Sequence, residues 1–297
     1  MNDSRKMSCF PMGLFKDADE PIICDSYIIL VQNLSKGSKI IIYDMAQKEL
    51  KPVFLKDVSC FNVSCDNRNI VFEFSGLKRG VGILNVNSLK LDYLDDLGND
   101  IMLGGIWKNY IAFRRRSDVV LFDIKHKRER VISSCRHIIG SPVLGYGNCA
   151  WLQQYKDKSC VGFYDIENRN SLFLSSSGYI NRIYLLEKKL VYQNCSDNKC
   201  SIYTYDIKTG FITKVFESYD WIELYKGRDG SVVWTTRRLC GNEYIFDIWI
   251  YNVNGGLPDK IISERCNAVI PAASGNLVLW LDAKSDGDSV SLIDIDM

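Results

Sequence analysis

The sequence predicts an all-β protein, a single seven-bladed β-propeller of four-stranded antiparallel blades whose ring is closed by the N-terminal strand completing the last blade. Three observations carry this reading. A short apolar run ending in Asp or Asn recurs seven times at a nearly constant period, a second apolar run precedes each copy, and helical periodicity of 3.6 is absent.

The recurring run is Ile42-Tyr43-Asp44-Met45, Ile83-Leu84-Asn85-Val86, Leu121-Phe122-Asp123-Ile124, Phe163-Tyr164-Asp165-Ile166, Thr204-Tyr205-Asp206-Ile207, Ile250-Tyr251-Asn252-Val253 and Leu292-Ile293-Asp294-Ile295. Successive Asp/Asn positions are 41, 38, 42, 41, 46 and 42 residues apart. The preceding run holds its register as well: Leu30 to Asp44, Trp151 to Asp165, Tyr192 to Asp206 and Trp280 to Asp294 are each 14 residues. The two runs are neighbouring strands of one hairpin. In the other copies the hairpin loop changes length, which costs little conformational entropy.

A β-like segment precedes each hairpin, as in Phe61 to Ser64 or Trp221 to Leu224, and an alternating one follows the first six, as in Leu50 to Leu55 or Phe211 to Phe216. Four strands per period of about 40 to 45 residues is the pattern of a propeller blade. The expected divisions are 19–57, 58–98, 99–135, 136–177, 178–218 and 219–264 for the first six blades. Residues 265–297 supply three strands of the seventh, and 1–18 its outer strand. Met7 to Leu14 is the segment expected to seal the ring, removing an edge that would invite aggregation.

The seven Asp/Asn residues suit turn fixing, because a short acceptor at a strand end bonds the amides of the next turn. Phe72, Phe113, Trp151, Tyr192, Trp234 and Trp280 are expected to fill the wedges between twisted sheets. The pattern resembles the TolB-like β-propeller repeats, especially in the sixth unit, where Ser231-Val232-Val233-Trp234-Thr235-Thr236-Arg237 leads to Asp247-Ile248-Trp249-Ile250-Tyr251-Asn252-Val253. The resemblance spans essentially the whole chain and implies a fold and an interaction module, often extracellular or periplasmic, with no catalytic residues. The Gly-His and Trp-Asp dipeptides of WD repeats are absent.

A net charge of +1, from 37 basic and 36 acidic residues, provides no global field toward nucleic acid or an anionic membrane. No apolar run reaches membrane-helix length and no signal-peptide core is seen, so the expected location is cytoplasmic, or extracytoplasmic if a leader has been lost. Eleven cysteines, odd in number and scattered, read mostly as buried thiols. Cys149 with Cys160 and Cys195 with Cys200 flank equivalent hairpin loops, so cross-strand disulfides there stay open.

No catalytic residue, cofactor or metal site is expected. There is no G-x-S-x-G elbow and no phosphate-binding glycine loop, and His126 and His137 lie outside any zinc pattern. Asp282, Asp286 and Asp288 crowd one hairpin but read as a solvated turn. Asp229-Gly230 reads as a tight turn, despite a faint likeness to a sialidase Asp-box.

The loops joining the second and third strands share one face. They carry twelve basic and seven acidic residues. The expected partner-binding residues are Lys78, Arg79, Arg115, Arg116, Arg237 and Arg238, facing a protein or, alternatively, a polyanion. Two other readings stand beside this: a rim charged for solubility alone, and an enzyme, hydrolase or lyase, with a shallow channel site near Asn62, Asn181, Arg182 and Glu223.

Overall fold

The computed structural model describes residues 7–9, 21–24, 26–94, 97–98, 100–155, 158–176, 178–196, 198–225, 227–241, 243–265, 269–282 and 289–295. Among them there is no helix. The strands form seven antiparallel four-stranded blades, and in the first six sequence order runs from the inner edge outward. Blade one comprises Ile22–Cys24, Tyr27–Leu34, Gly37–Asp44 and Glu49–Lys56. The inner strands that follow are Ser59–Cys65, Ile101–Trp107, Ile138–Gly145, Tyr179–Leu186, Trp221–Tyr225 and Val269–Ser274.

The ring closes as expected. Met7–Cys9 pairs antiparallel with the third strand of blade seven, placing Met7 opposite Ile293 and Cys9 opposite Ser291. One feature lies outside the sequence reading. After its inner strand, blade six contributes Gly227–Arg228, which pairs in parallel with Ala273–Ser274 of blade seven. A Cβ at residue 227 would sit 1.8 Å from the Ser231 carbonyl oxygen, so only glycine allows this approach.

Seven apolar clusters fill the seven interfaces between blades. Strand alternation explains how. Each wedge aromatic packs toward the preceding blade: Phe72 on blade one, Phe113 on blade two, Trp151 on blade three, Tyr192 on blade four, Trp234 on blade five and Trp280 on blade six. The next residue points to the following blade. Opposite Trp151 stands Gly162, where a Cβ would meet the indole at 2.3 Å. Gly162→Ala is therefore expected to overpack this wedge and cost about 1–3 kcal/mol, measurable by urea unfolding; an unchanged midpoint would contradict it.

Six of the seven Asp/Asn residues fix turns as expected. Asp44 Oδ1 accepts from the amides of Ala46 and Gln47, and Asn85, Asp123, Asp165, Asp206 and Asn252 repeat the arrangement. The turn hydrogen bonds outweigh desolvation and hold the Asp165 and Asp206 carboxyls below the usual carboxylate range. Asp123 shifts the same way, aided by His126.

Candidate functional site at the channel and the loop face

Polar side chains of blades one to five each stitch their blade to the inner strand of the next. In blade one, Asn33 Nδ2 donates to the Cys60 carbonyl at 3.1 Å and its Oδ1 accepts from the Cys60 amide at 3.2 Å. Glu73 follows the wedge residue Phe72, is fully buried, and accepts from the Leu103 amide at 2.6 Å and from Asn62 Nδ2 at 2.8 Å. Arg79 lies 3.4 Å from its other oxygen. Arg114 and Gln193 hold the same position after Phe113 and Tyr192: Arg114 Nη1 donates to the Ile138 carbonyl, and Gln193 bridges the Ile222 carbonyl and the Leu224 amide.

The stitched inner strands of blades two to five are each bulged at the same level: Phe61/Ser64, Leu103/Gly105, Ile139/Val143 and Ile180/Arg182. A bulge leaves a residue unpaired and re-aims its neighbours. Asn62, Ser141 and Asn181 sit in these bulges and line a central cavity of about 770 Å³. Its wall is divided. Ile22, Met102, Pro142 and Ile270 make it apolar on one side, while Arg182 and Tyr225 make it polar at blades five and six.

Arg182 Nη2 donates to Glu223 Oε1 at 3.0 Å. Burial first, and then the Glu223 carboxylate, push the Tyr225 phenol well up. Arg228 closes the channel from the other side, since Nη1 donates to Cys24 Sγ at 2.6 Å and Nη2 to the Cys65 carbonyl. Thus Asn62, Asn181, Arg182 and Glu223 do gather on the inner strands. Tyr225 joins them on the inner strand of blade six, and Glu73, from the second strand of blade two, and Arg228, just past that inner strand, reach the same region unannounced; a polar residue directly after a wedge aromatic is the one signal available for Glu73.

The six loop-face residues divide into two groups. Lys78, Arg79, Arg115 and Arg116 stand on adjacent blades two and three, whereas Arg237 and Arg238 rise from blade six, three blades on. Arg79 turns inward to Glu73, and its other amino contact is the Ile101 carbonyl. Arg115 pairs with Glu129 at 2.8 Å, and Arg238 approaches Asp247 at 3.9 Å. Arg116 is exposed and has no acidic partner among the described residues. Arg114, counted among the loops by sequence, belongs to the strand Tyr110–Arg115, where its guanidinium serves the next blade.

Blade six projects furthest, on ten-residue strands Ser231–Cys240 and Glu243–Asn252. Arg237 lies 4.7 Å from the ring of Tyr244 and 5.9 Å from that of Trp221. Trp221 is 57% exposed and Leu239 64%.

The histidines hold turn and connection positions, as expected. His126 bonds Asp123 at 2.8 Å, and His137 lies edge-on to Tyr155. Cys195 and Cys200 face each other across their hairpin and form a disulfide. Cys149 and Cys160 do not: Cys149 opposes Tyr164 and Cys160 opposes Gln153, about 13 Å apart along the strand. Burial pushes the Cys149 thiol well up. Among the described residues no three His, Cys, Asp or Glu side chains converge as a metal would require. Asp286 and Asp288 lie outside the described residues. No described helix is long and apolar enough to cross a membrane.

No protein-family model and no curated protein matches the chain. Among solved structures it is similar to an oligogalacturonate lyase in complex with manganese, at TM-score 0.69 and 10% identity over 98% of this chain and 96% of that one. It is similar to the acylaminoacyl peptidase of Pyrococcus horikoshii, at TM-score 0.67 and 12% identity over 94% of this chain and 51% of that one. The chain therefore spans about half the length of that peptidase. A third likeness is to the β-propeller domain of the trilobed protease of Pyrococcus furiosus, at TM-score 0.50 and 13% identity over 82% and 71% of the two chains. Likeness at these identities concerns fold alone. Seven four-stranded antiparallel blades arranged in a ring make the chain, at the level of its fold, a seven-bladed β-propeller similar to the propellers of these structures.

Proposed function

We propose that the protein is a non-catalytic binding propeller that docks a protein partner on the face of its second-to-third-strand loops. The observation that carries this reading is the projecting hairpin of blade six, where Arg237 stands against Tyr244 and Trp221, with Leu239 exposed beside them. Exposed Trp221 and Tyr244 beside the half-buried Arg237 match the residue types that dominate binding hot spots. Arg115, Arg116 and Arg238, with Lys78 and Arg79, add positive charge to the same face and favour an acidic partner. The ion pairs to Glu129 and Asp247 reduce that charge, so the aromatic patch leads and the basic loops steer.

The quadruple variant R115E/R116E/R237E/R238E is expected to abolish co-purification of the partner from the native host while leaving the melting temperature within a few degrees. Undiminished recovery would reject the reading. Loss of heparin binding without loss of any protein partner would turn it toward a polyanion.

One observation favours a second reading, an enzyme acting at the channel. Arg182, Glu223 and Tyr225 form a connected polar group beside a cavity of about 770 Å³, and two of the structures similar in fold are named as a lyase and a peptidase. A hydrolase and lyase activity screen, with Glu223→Gln as the control, separates the two readings.

A further inference from the structure

The turns between first and second strands emerge at the opposite mouth of the channel, and three consecutive ones enclose a second cavity of about 580 Å³. Blade two delivers Arg68 and Asn67, blade three Trp107, Lys108 and Asn109, and blade four Tyr146. These turns are tight. Lys108 and Tyr146 both adopt positive φ, at 53° and 49°, as two-residue hairpin turns require. Gly147 takes a φ of 80°, the left-handed region that favours glycine, and the Trp107 ring edge lies in ordinary contact distance of it. Arg228 and Asp229 of blade six complete the wall, while Ile106, Leu144 and Leu185 give it an apolar floor.

The charges here are unevenly spent. Asp66 Oδ1 accepts from the amides of Arg68 and Asn69, both at 2.8 Å, and Asp229 accepts from the Ser274 hydroxyl. Arg228 is held by Cys24 and Cys65. That leaves Arg68 and Lys108, both exposed and on adjacent blades, with no carboxylate in ion-pair reach among the described residues. Lys108 Nζ rests only against the Trp107 ring, 4.4 Å from its centroid. On the far side, the Asp229 and Glu187 carboxylates add to burial in pushing the Tyr146 phenol up. An anion is therefore favoured at blades two and three, and a hydrogen-bond donor toward blade six.

We propose that this cavity binds a mononucleotide, with its phosphate between Arg68 and Lys108, its base against Trp107 and Tyr146, and the amides of Asn67 and Asn109 at the base edge. Two unspent cations suit a doubly charged phosphate, which Arg meets with a planar fork of donors. Aromatic faces beside them suit a flat heterocycle. A volume of about 580 Å³ falls within the usual range for small-ligand sites. This site lies on the face opposite the docking loops and stands whether or not the partner-docking reading does.

Calorimetric titration of the full chain with AMP, GMP, CMP and UMP tests it, with inorganic phosphate, ribose 5-phosphate and adenosine as partial probes. At least one mononucleotide is expected to saturate with Kd on the order of 100 μM, and each of its fragments to bind roughly tenfold more weakly or less. R68Q/K108Q is expected to weaken binding by about tenfold or more. Both residues are exposed, so the variant is expected to keep its melting temperature, which is measured alongside. R115E/R116E/R237E/R238E, on the other face, should bind the nucleotide unchanged. Absence of saturation by all four nucleotides, phosphate binding as tightly as any of them, or undiminished affinity in folded R68Q/K108Q would each overturn the proposal.

Discussion

Glu73→Ala is expected to destabilise the propeller by about 3–5 kcal/mol, the loss of two hydrogen bonds to one buried carboxylate at about 1.5–3 kcal/mol each. Glu73 is fully buried, and its carboxylate serves the Leu103 amide, Asn62 Nδ2 and the Arg79 guanidinium together. Truncation leaves the buried Leu103 amide without an acceptor and out of reach of water, while the half-exposed Arg79 guanidinium loses its ion-pair partner. For a chain of this size each kcal/mol moves the melting temperature by roughly 2–4 °C, so a fall of about 6–20 °C is expected in a thermal scan. Glu73→Gln retains an acceptor for Leu103 and forfeits the charge, and should cost less. The double variant E73A/R79A should recover part of the loss, because the guanidinium no longer stands unpaired. A change under about 1 kcal/mol in E73A would show that the stitch between blades two and three contributes nothing net.

Glu73 also marks where sequence reading runs out. The repeat is legible because it obeys local rules: Asp44, Asn85 and Asp206 cap the turns beside them, and Phe72, Trp151 and Trp234 recur in strands of period two. A polar residue in such a strand reads as facing water. In a propeller both faces of an inner hairpin are covered, so Glu73, Arg114 and Gln193 face the next blade instead, and their partners lie 30, 24 and 29 residues away.

The loop face was legible only in part, for the same reason. Counting charges within loops misses Glu129 and Asp247, which sit on strands and reach back to Arg115 and Arg238. The bulges were not visible, because no residue type announces them at all four inner strands; glycine marks some, while Asn62 takes positive φ in another. The two cysteine pairs looked equivalent by loop position. Register separates them: Cys195 and Cys200 are directly opposed, and Cys149 and Cys160 are offset by four residues.

Deleting Met1 to Phe15 is expected to cost on the order of 3–5 kcal/mol and to promote aggregation, an effect comparable to that of Glu73→Ala. The segment joins the two ends of the chain in one sheet, pairing Met7–Cys9 with Ser291–Ile293. Without it, the strand Ser289–Asp294 presents a free edge of amides and carbonyls, and among the described residues the apolar cluster that includes Ile28, Leu30 and Leu279 is what remains between blades one and seven. Opening a ring at its seam also returns conformational freedom to both flanking blades, so the loss should appear as an early, separate transition in urea, measured by hydrogen exchange of blades one and seven. A synthetic peptide of residues 1–15 added in trans should restore much of the melting temperature by adding a strand to the vacant edge. A truncated protein as stable as the full chain, with no response to the peptide, would mean that side-chain packing between blades one and seven suffices to close the ring.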